Sequence, residues 1–188
     1  SQPPGLKRTL LWNTANNPAI WRHWESRIVA SADLVITVSR EAAEDLPRAP
    51  RDLAVVSNYV DLEDLPLPSP LRPPFRPLRL CFAGVLNSMF GLRETLQATA
   101  LLPRDAVEVV LVGDGDERVS LERIIRERDL ADRVRILGWR PREEALAAVR
   151  DAHLGLLPLR DNALTRSTVG NKMFEYMGLG RGVLCSGV

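Results

Sequence analysis

From Leu78 onward the sequence repeats one unit, an apolar run of strand length, a loop and an amphipathic helix. The runs are LRLCFAG from Leu78, VEVVLVG at 107–113, RVRILG at 133–138, HLGLLPL at 153–159 and GVLCSG at 182–187. Helical patterns lie between them near 92–102, with Leu92, Leu96 and Thr99 on one face, 117–128 and 142–150. Strands that are apolar almost without a break, rather than at alternate positions, belong to a parallel sheet covered on both faces. Right-handed crossovers then make the expected fold an α/β, doubly wound, Rossmann-like sheet. With a strand order of 3-2-1-4-5, the ligand crevice opens at the carboxyl ends of the first and fourth strands, where the winding reverses. Three segments meet there: the loop Gly84 to Gly91, the loop Arg160 to Gly170, and a helix opening at about Asn171.

That helix lies in the stretch STVGNKMFEYMGLGRGVLCS, Ser167 to Ser186. Gly170 allows close backbone approach, and the free N–H groups of the first turn favour an anion such as phosphate. Lys172 adds a cation. Met173, Phe174 and Met177 share a face that leaves Glu175 on another, one turn in. A cation for phosphate and a carboxylate for hydroxyls suit a nucleotide. The plainer alternative is a buried helix whose Lys172 and Glu175 merely face solvent. Only Lys7 and Lys172 are lysines in a chain whose other basic residues are arginines.

The segment before Leu78 is organised differently. Residues 1–15 are polar and marked by Pro and Gly, and Asn17-Pro18 reads as the cap and first turn of a helix to about Ala30. Its stripe of Trp21, Trp24 and Ile28 is read as packed on a protein core rather than lying on a membrane. DLVITVS at 33–39 and LAVVSN at 53–58 read as strands, with a short helix from Arg40 to Leu46 ended by Pro47. Residues 66–77, PLPSPLRPPFRP, hold six prolines and read as an extended linker. The expected organisation is a first domain ending within 1–62, a linker at 63–77 and a ligand-binding domain at 78–188.

Composition excludes several classes. A formal net charge of +1 gives no bulk attraction for nucleic acid. No apolar run is long enough to span a membrane, and SQPPGLKRTL lacks both an initiator Met and a signal-peptide pattern, so a fragment is expected. Cys81 and Cys185 lie in apolar runs read as buried strands; two thiols without metal-ligand spacing fit core packing in a reducing cytoplasm. Gly113-Asp114-Gly115 follows a strand as a dinucleotide fingerprint would, but Arg118 stands where the third glycine belongs and no acid ends the next strand. Asp114 and Asp116 form a D-x-D pair, read as capping the helix after strand 2 rather than as metal ligands. His153 opens a buried strand and is read as packing. No Walker loop, zinc spacing or Ser-His-Asp order is present.

The run NKMFEYMGLGRGVLCS resembles the donor-site helix of retaining glycosyltransferases of family 4, which have the two-Rossmann GT-B fold, in the variant with an FEYM motif. ADLVITVSREAAEDL and VSNYVD, with Ser57 and Tyr59 for the usual Pro and Gly, are similar to the segment that closes the acceptor domain of that family before the interdomain hinge. The resemblance implies half of a GT-B fold truncated at both ends: the hinge plus most of the nucleotide-sugar donor domain. It implies transfer of a sugar, with retention, from a nucleotide-sugar to a glycan or lipid-linked acceptor, as in bacterial surface polysaccharide synthesis. Lys172 would hold the diphosphate and Glu175 the ribose hydroxyls, the two residues given catalytic roles. Gly84, Gly170 and Asn171 would complete the phosphate side, Trp139 and Arg140 the rim for the base, and Asn87 is a further donor-binding residue. No metal or other cofactor is expected. The family's glutamate pair, E-(x)7-E, would begin at Ser167, and its Arg and Lys after strand 1 are absent from VLNSMFGL; FEYM-type members commonly share both traits. The setting implied is cytoplasmic, with peripheral membrane contact through the acceptor domain, and the 188-residue chain alone is expected to transfer no sugar. Two alternatives stay open: a sugar-nucleotide 2-epimerase of the same fold, and a nucleotide-sugar-binding module without catalysis.

Overall fold

A computed structural model describes residues 17–70, 73, 76–162, 165 and 170–187. The chain divides into two compact units between Ser57 and Asn58. Residues 1–15, Ser167 and most of the loop around Ser167 lie outside the described residues.

The first unit begins with α1 (Pro18–Ser31), where Pro18 takes the first turn and the Asn17 side chain accepts from the Ala19 N–H. Strand β1 (Val35–Thr37) pairs in parallel with β2 (Leu53–Val55), and α2 (Arg40–Glu44) is capped by Ser39, which accepts from the Ala42 N–H. Within this unit the expected packing of the tryptophan stripe is not seen. Trp21, Trp24 and Ile28 are 62%, 52% and 64% exposed, and only Val29 of the helix is buried. A two-stranded sheet offers too little apolar surface to cover such a stripe, and its own Ile36 is exposed as well.

The second unit opens with an extended segment, Asn58 to Pro70, carrying a 3-10 turn at Leu62–Asp64. Leu65 is buried there, and Val60, Leu62 and Leu65 press on Gly178, where an added Cβ would lie 2.5 Å from Leu65 Cδ1. This packing draws the segment into the second unit.

The sheet follows as β3 (Leu78–Ala83), β4 (Val107–Val112), β5 (Val134–Gly138), β6 (Leu154–Leu157) and β7 (Gly182–Cys185). Its helices are α3 (Leu92–Leu101), α4 (Arg118–Glu127), α5 (Arg142–Arg150) and α6 (Asn171–Gly178). All strands are parallel in the order β5-β4-β3-β6-β7, the doubly wound arrangement with its reversal between β3 and β6. One face buries Leu80, Phe82, Leu92, Leu96, Leu111 and Leu121 beneath α3 and α4. The other buries Cys81, Val112, Leu146, Val149, Tyr176 and Leu179 beneath α5 and α6. Leu92, Leu96 and Thr99 are the buried residues of α3, the face the spacing predicts.

Strand β3 is in register with β4 along its whole length, Leu78↔Val107 to Ala83↔Val112, but with β6 only at Leu80↔Leu154 and Cys81↔Gly155. Side chains take over where that ladder stops. The Arg79 N–H donates to His153 Nδ1 at 2.8 Å, and the Ala83 N–H donates to the Tyr176 hydroxyl at 3.1 Å. His153 is thus buried packing at the amino end of the sheet, 3% exposed, as its position predicts.

Two expectations need correction. Cys185 is exposed, since among the described residues β7 is paired only with β6; Cys81 is a core thiol, pushed up to about 12 by burial. In α6 the shared face of Met173, Phe174 and Met177 is half-buried at Met173 and Phe174 and 59% exposed at Met177, while the buried residue is Tyr176. The residue preceding α4 is Glu117, without a side-chain cap bond, so Asp114 and Asp116 do not cap that helix. Glu117 is instead buried and paired through both carboxylate oxygens with Arg93 of α3.

Candidate functional site

At the carboxyl ends of β3 and β6 the connecting loops are stitched to one another by backbone bonds. The Gly84 N–H donates to Val112 O and the Gly113 N–H to Gly138 O, each at 2.8 Å; the Leu86 N–H donates to Asp114 O at 2.9 Å. The Arg160 N–H donates to Met89 O at 3.0 Å, and the Arg160 guanidinium also pairs with Glu94 at 2.9 Å. Glycine is required at two points of this weave. Gly113 has φ +137°, and a Cβ there would fall 1.8 Å from Gly84 O. Gly84 has φ +152°, and its Cβ would meet Lys172 Cε at 2.3 Å.

Two cavities open above these loops. One, of about 240 Å³, is lined by Gly84, Gly113, Asp114, Trp139, Arg140, Arg142 and Glu175 among others. The other, of about 540 Å³, is lined by Asn58, Asn87, Met89, Phe90, Gly170, Asn171, Lys172 and Glu175 among others. Glu175 and Val85 border both. All eight residues singled out in the sequence therefore converge on one crevice: Gly84, Trp139 and Arg140 on the smaller side, Asn87, Gly170, Asn171 and Lys172 on the larger, and Glu175 between.

The electrostatics of the larger cavity centre on Lys172. Its Nζ lies 5.9 Å from the Phe82 ring centroid and 5.5 Å from that of Phe90, in range of both π faces. Burial pushes its ammonium below the ordinary lysine range, and the charge of Glu175 offsets part of that shift. A partly desolvated cation beside a helix opening that has no side-chain cap from Gly170 is an arrangement able to receive an anion with part of the desolvation already accomplished. Asn87 has a second task, since its Oδ1 accepts from the Met89 N–H at 3.1 Å and shapes the loop. In the smaller cavity Trp139 stands 70% exposed at the rim, and Arg140 approaches Glu144 at 3.7 Å.

Sequence reasoning missed Arg142, Phe90, Asn58 and Tyr176. The signal for Arg142 was connectivity: it is the first residue of α5, directly after the carboxyl end of β5, on the same edge of the sheet as the crevice. Asn58 lies in the VSNYVD phrase, where only the turn was considered.

A further cavity of about 350 Å³, at the amino ends of the strands, is lined by Arg79, Arg150, His153 and Arg181 among others. Arg181 is 4% exposed and donates to Arg150 O at 2.7 Å, to Gly180 O at 3.2 Å and to Ser69 O. It closes the end of α5 and ties down the segment before the sheet, which accounts for its burial. Among the described residues no cluster of three or more His, Cys, Asp or Glu could hold a metal ion, and no helix is long and apolar enough to cross a membrane.

The model of the family described as glycosyl transferases group 1 matches residues 77–188, more than half of the chain. The amylovoran biosynthesis glycosyltransferase AmsK of Erwinia amylovora is 31% identical over 85 residues, 44% of this chain and 21% of that protein. Sucrose-phosphate synthase from Thermosynechococcus elongatus has a similar fold, with TM-score 0.76 and 21% identity over 93% of this chain and 46% of that one. Anabaena Alr3699/HepE, solved in complex with UDP and glucose, gives TM-score 0.71 and 19% identity over 91% of this chain and 49% of that one. The chain thus spans about a fifth of the length of its curated relative and about half of each of these two structures.

Proposed function

The chain belongs to the glycosyl transferases group 1, and on that premise we propose that it carries the donor side of a retaining, family 4 type sugar transferase with the FEYM-type motif. The full protein would move a sugar from a nucleotide-sugar to a glycan or lipid-linked acceptor in bacterial surface polysaccharide synthesis, on the cytoplasmic side of the membrane. One observation carries this reading: Glu175 forms the shared wall of two cavities, one holding a desolvated Lys172 at a helix opening, the other ending at an exposed Trp139. A nucleoside diphosphate is an anion joined to a sugar diol joined to a flat base, and the crevice offers a counterpart to each in that order.

In this reading the donor's diphosphate sits against Lys172 and the N–H groups at Asn171, with Gly84 leaving room for the lysine's end. Glu175 accepts from the ribose hydroxyls, and the base lies towards Trp139 and Arg140. As the bond from the sugar to the diphosphate breaks, negative charge grows on the leaving group. Donors fixed in a half-dry site stabilise it without reorganising, which is the largest contribution such a site can make. The epimerase alternative would need catalytic carboxylates and a histidine from both domains; His153 is not placed for that role, being buried at the opposite end of the sheet with its Nδ1 accepting from the Arg79 N–H.

Calorimetry on the full-length protein with UDP, GDP and their nucleosides tests the assignment. Lys172→Ala should weaken diphosphate binding roughly tenfold or more and nucleoside binding little, because a charged hydrogen-bond partner is lost only to the former. Equal losses for both, in a protein that melts like the wild type, would remove Lys172 from the phosphates. Retention is read separately, from the anomeric configuration of the product by NMR.

A further inference from the structure

The wall between the two cavities is held from outside. The Glu175 carboxylate on α6 is hydrogen-bonded, among the described residues, to Arg142 at the start of α5, whose Nη2 donates to Glu175 Oε1 at 2.9 Å. The same guanidinium approaches Asp64 O, at the end of the 3-10 turn, with Nη1 at 3.4 Å. That turn is itself seated on α6, through Leu62 and Leu65 against Gly178. Arg142 therefore stands where the opening segment of the unit, α5 and α6 meet, and it lines the smaller cavity beside Trp139 and Arg140.

The geometry points to Arg142 as the positioning residue for the nucleoside. A glutamate that accepts from a ribose diol must be fixed in one rotamer of three flexible torsions, and freezing it on binding would cost affinity. Arg142 freezes it beforehand through Oε1 and leaves Oε2 as the free acceptor. With a side chain 54% exposed, Arg142 makes a pair too wet to add much to folding stability, so its effect appears in ligand affinity. This inference rests on the reading of Glu175 as the ribose acceptor, and it extends that reading to a residue on another helix.

The experiment is a double-mutant cycle on the full-length protein, titrating UDP and uridine against wild type, Arg142→Ala, Arg142→Lys, Glu175→Gln and the Arg142→Ala/Glu175→Gln pair. Arg142→Ala should weaken UDP and uridine by the same factor, about threefold, the size expected of an exposed ion pair. In the Glu175→Gln background the Arg142→Ala change should cost nothing further. Arg142→Lys should recover part of the loss, because lysine keeps the charge but not the planar fork. Additive losses in the cycle would overturn the inference, as would a loss confined to UDP, which would put Arg142 on the phosphates. If Glu175→Gln leaves uridine binding unchanged, the ribose assignment itself fails and the inference with it. Should Arg142→Ala fold poorly, Arg142→Gln keeps the inner part of the side chain without its charge or its reach to Glu175 and tests the same coupling.

Discussion

At Lys172 two demands oppose each other. The ammonium is partly desolvated against Phe82 and Phe90, so folding disfavours its charged form, while an anionic ligand requires that form. The signs follow from the depressed value. Stability gained from this residue is full above the pKa of a free lysine and is lost as the pH falls through the lower folded value. Affinity for a diphosphate moves the opposite way and falls as the pH rises through that folded value. A bound diphosphate restores the charge, so in that alkaline interval binding takes up a proton. Calorimetric titration of UDP in two buffers of different ionisation enthalpy should show this uptake, and Lys172→Ala should abolish it. Gly84 serves the same contact from the other side: in Gly84→Ala the new Cβ must displace Lys172 Cε, which it would meet at 2.3 Å. That variant should lose UDP affinity with little change for uridine.

At the scale of elements, the opening between β3 and β6 is what makes a crevice, and Tyr176 with Gly155 maintains it. The Tyr176 ring stands over β6 where Gly155 has no side chain; a Cβ there would lie 2.2 Å from Tyr176 Cδ2. Tyr176→Phe removes the partner of the Ala83 N–H in a part-buried site, which costs about 1 kcal/mol and should appear as a drop of a few degrees in Tm. Gly155→Ala should cost more, since a ring inside a close-packed layer has nowhere to go. If Tyr176→Phe melts with the wild type, the hydroxyl does not hold the end of β3. Neither residue was legible as structural in the sequence. Helical spacing shows which side chains share a face, as with Met173, Phe174 and Met177, but not which face meets the sheet. The sheet's own order was legible, because strands without alternation admit few other arrangements. The eight candidate residues were read from that order, the motif and the family resemblance, whereas Arg142 required knowing that α5 packs beside α6 so that its first residue reaches Glu175.

Over the whole molecule the same distinction between pattern and partner recurs. The stripe Trp21, Trp24 and Ile28 was visible as a stripe, yet its exposure depends on what surrounds it and not on its spacing. Charge behaves likewise. A net charge of +1 gives the chain no long-range pull on an anionic donor, so attraction must come from the crevice. Beside Glu175, which is paired with Arg142, the carboxylate lining the smaller cavity among the described residues is Asp114. It is already engaged: the Gly115 N–H donates to its Oδ1 at 2.8 Å, and Arg118 pairs with its Oδ2 at 2.8 Å. These contacts hold its carboxyl below the usual range, and a divalent cation would have to displace Arg118 to reach it. With Lys172 and the helix opening on the phosphates and Asp114 occupied, we expect UDP to bind the full-length protein equally well in EDTA and in Mg²⁺. Affinity that collapses in EDTA and returns with Mg²⁺ would make Asp114 and Asp116 metal ligands; in that case Asp114→Asn should remove the Mg²⁺ response while leaving the Lys172→Ala loss in place.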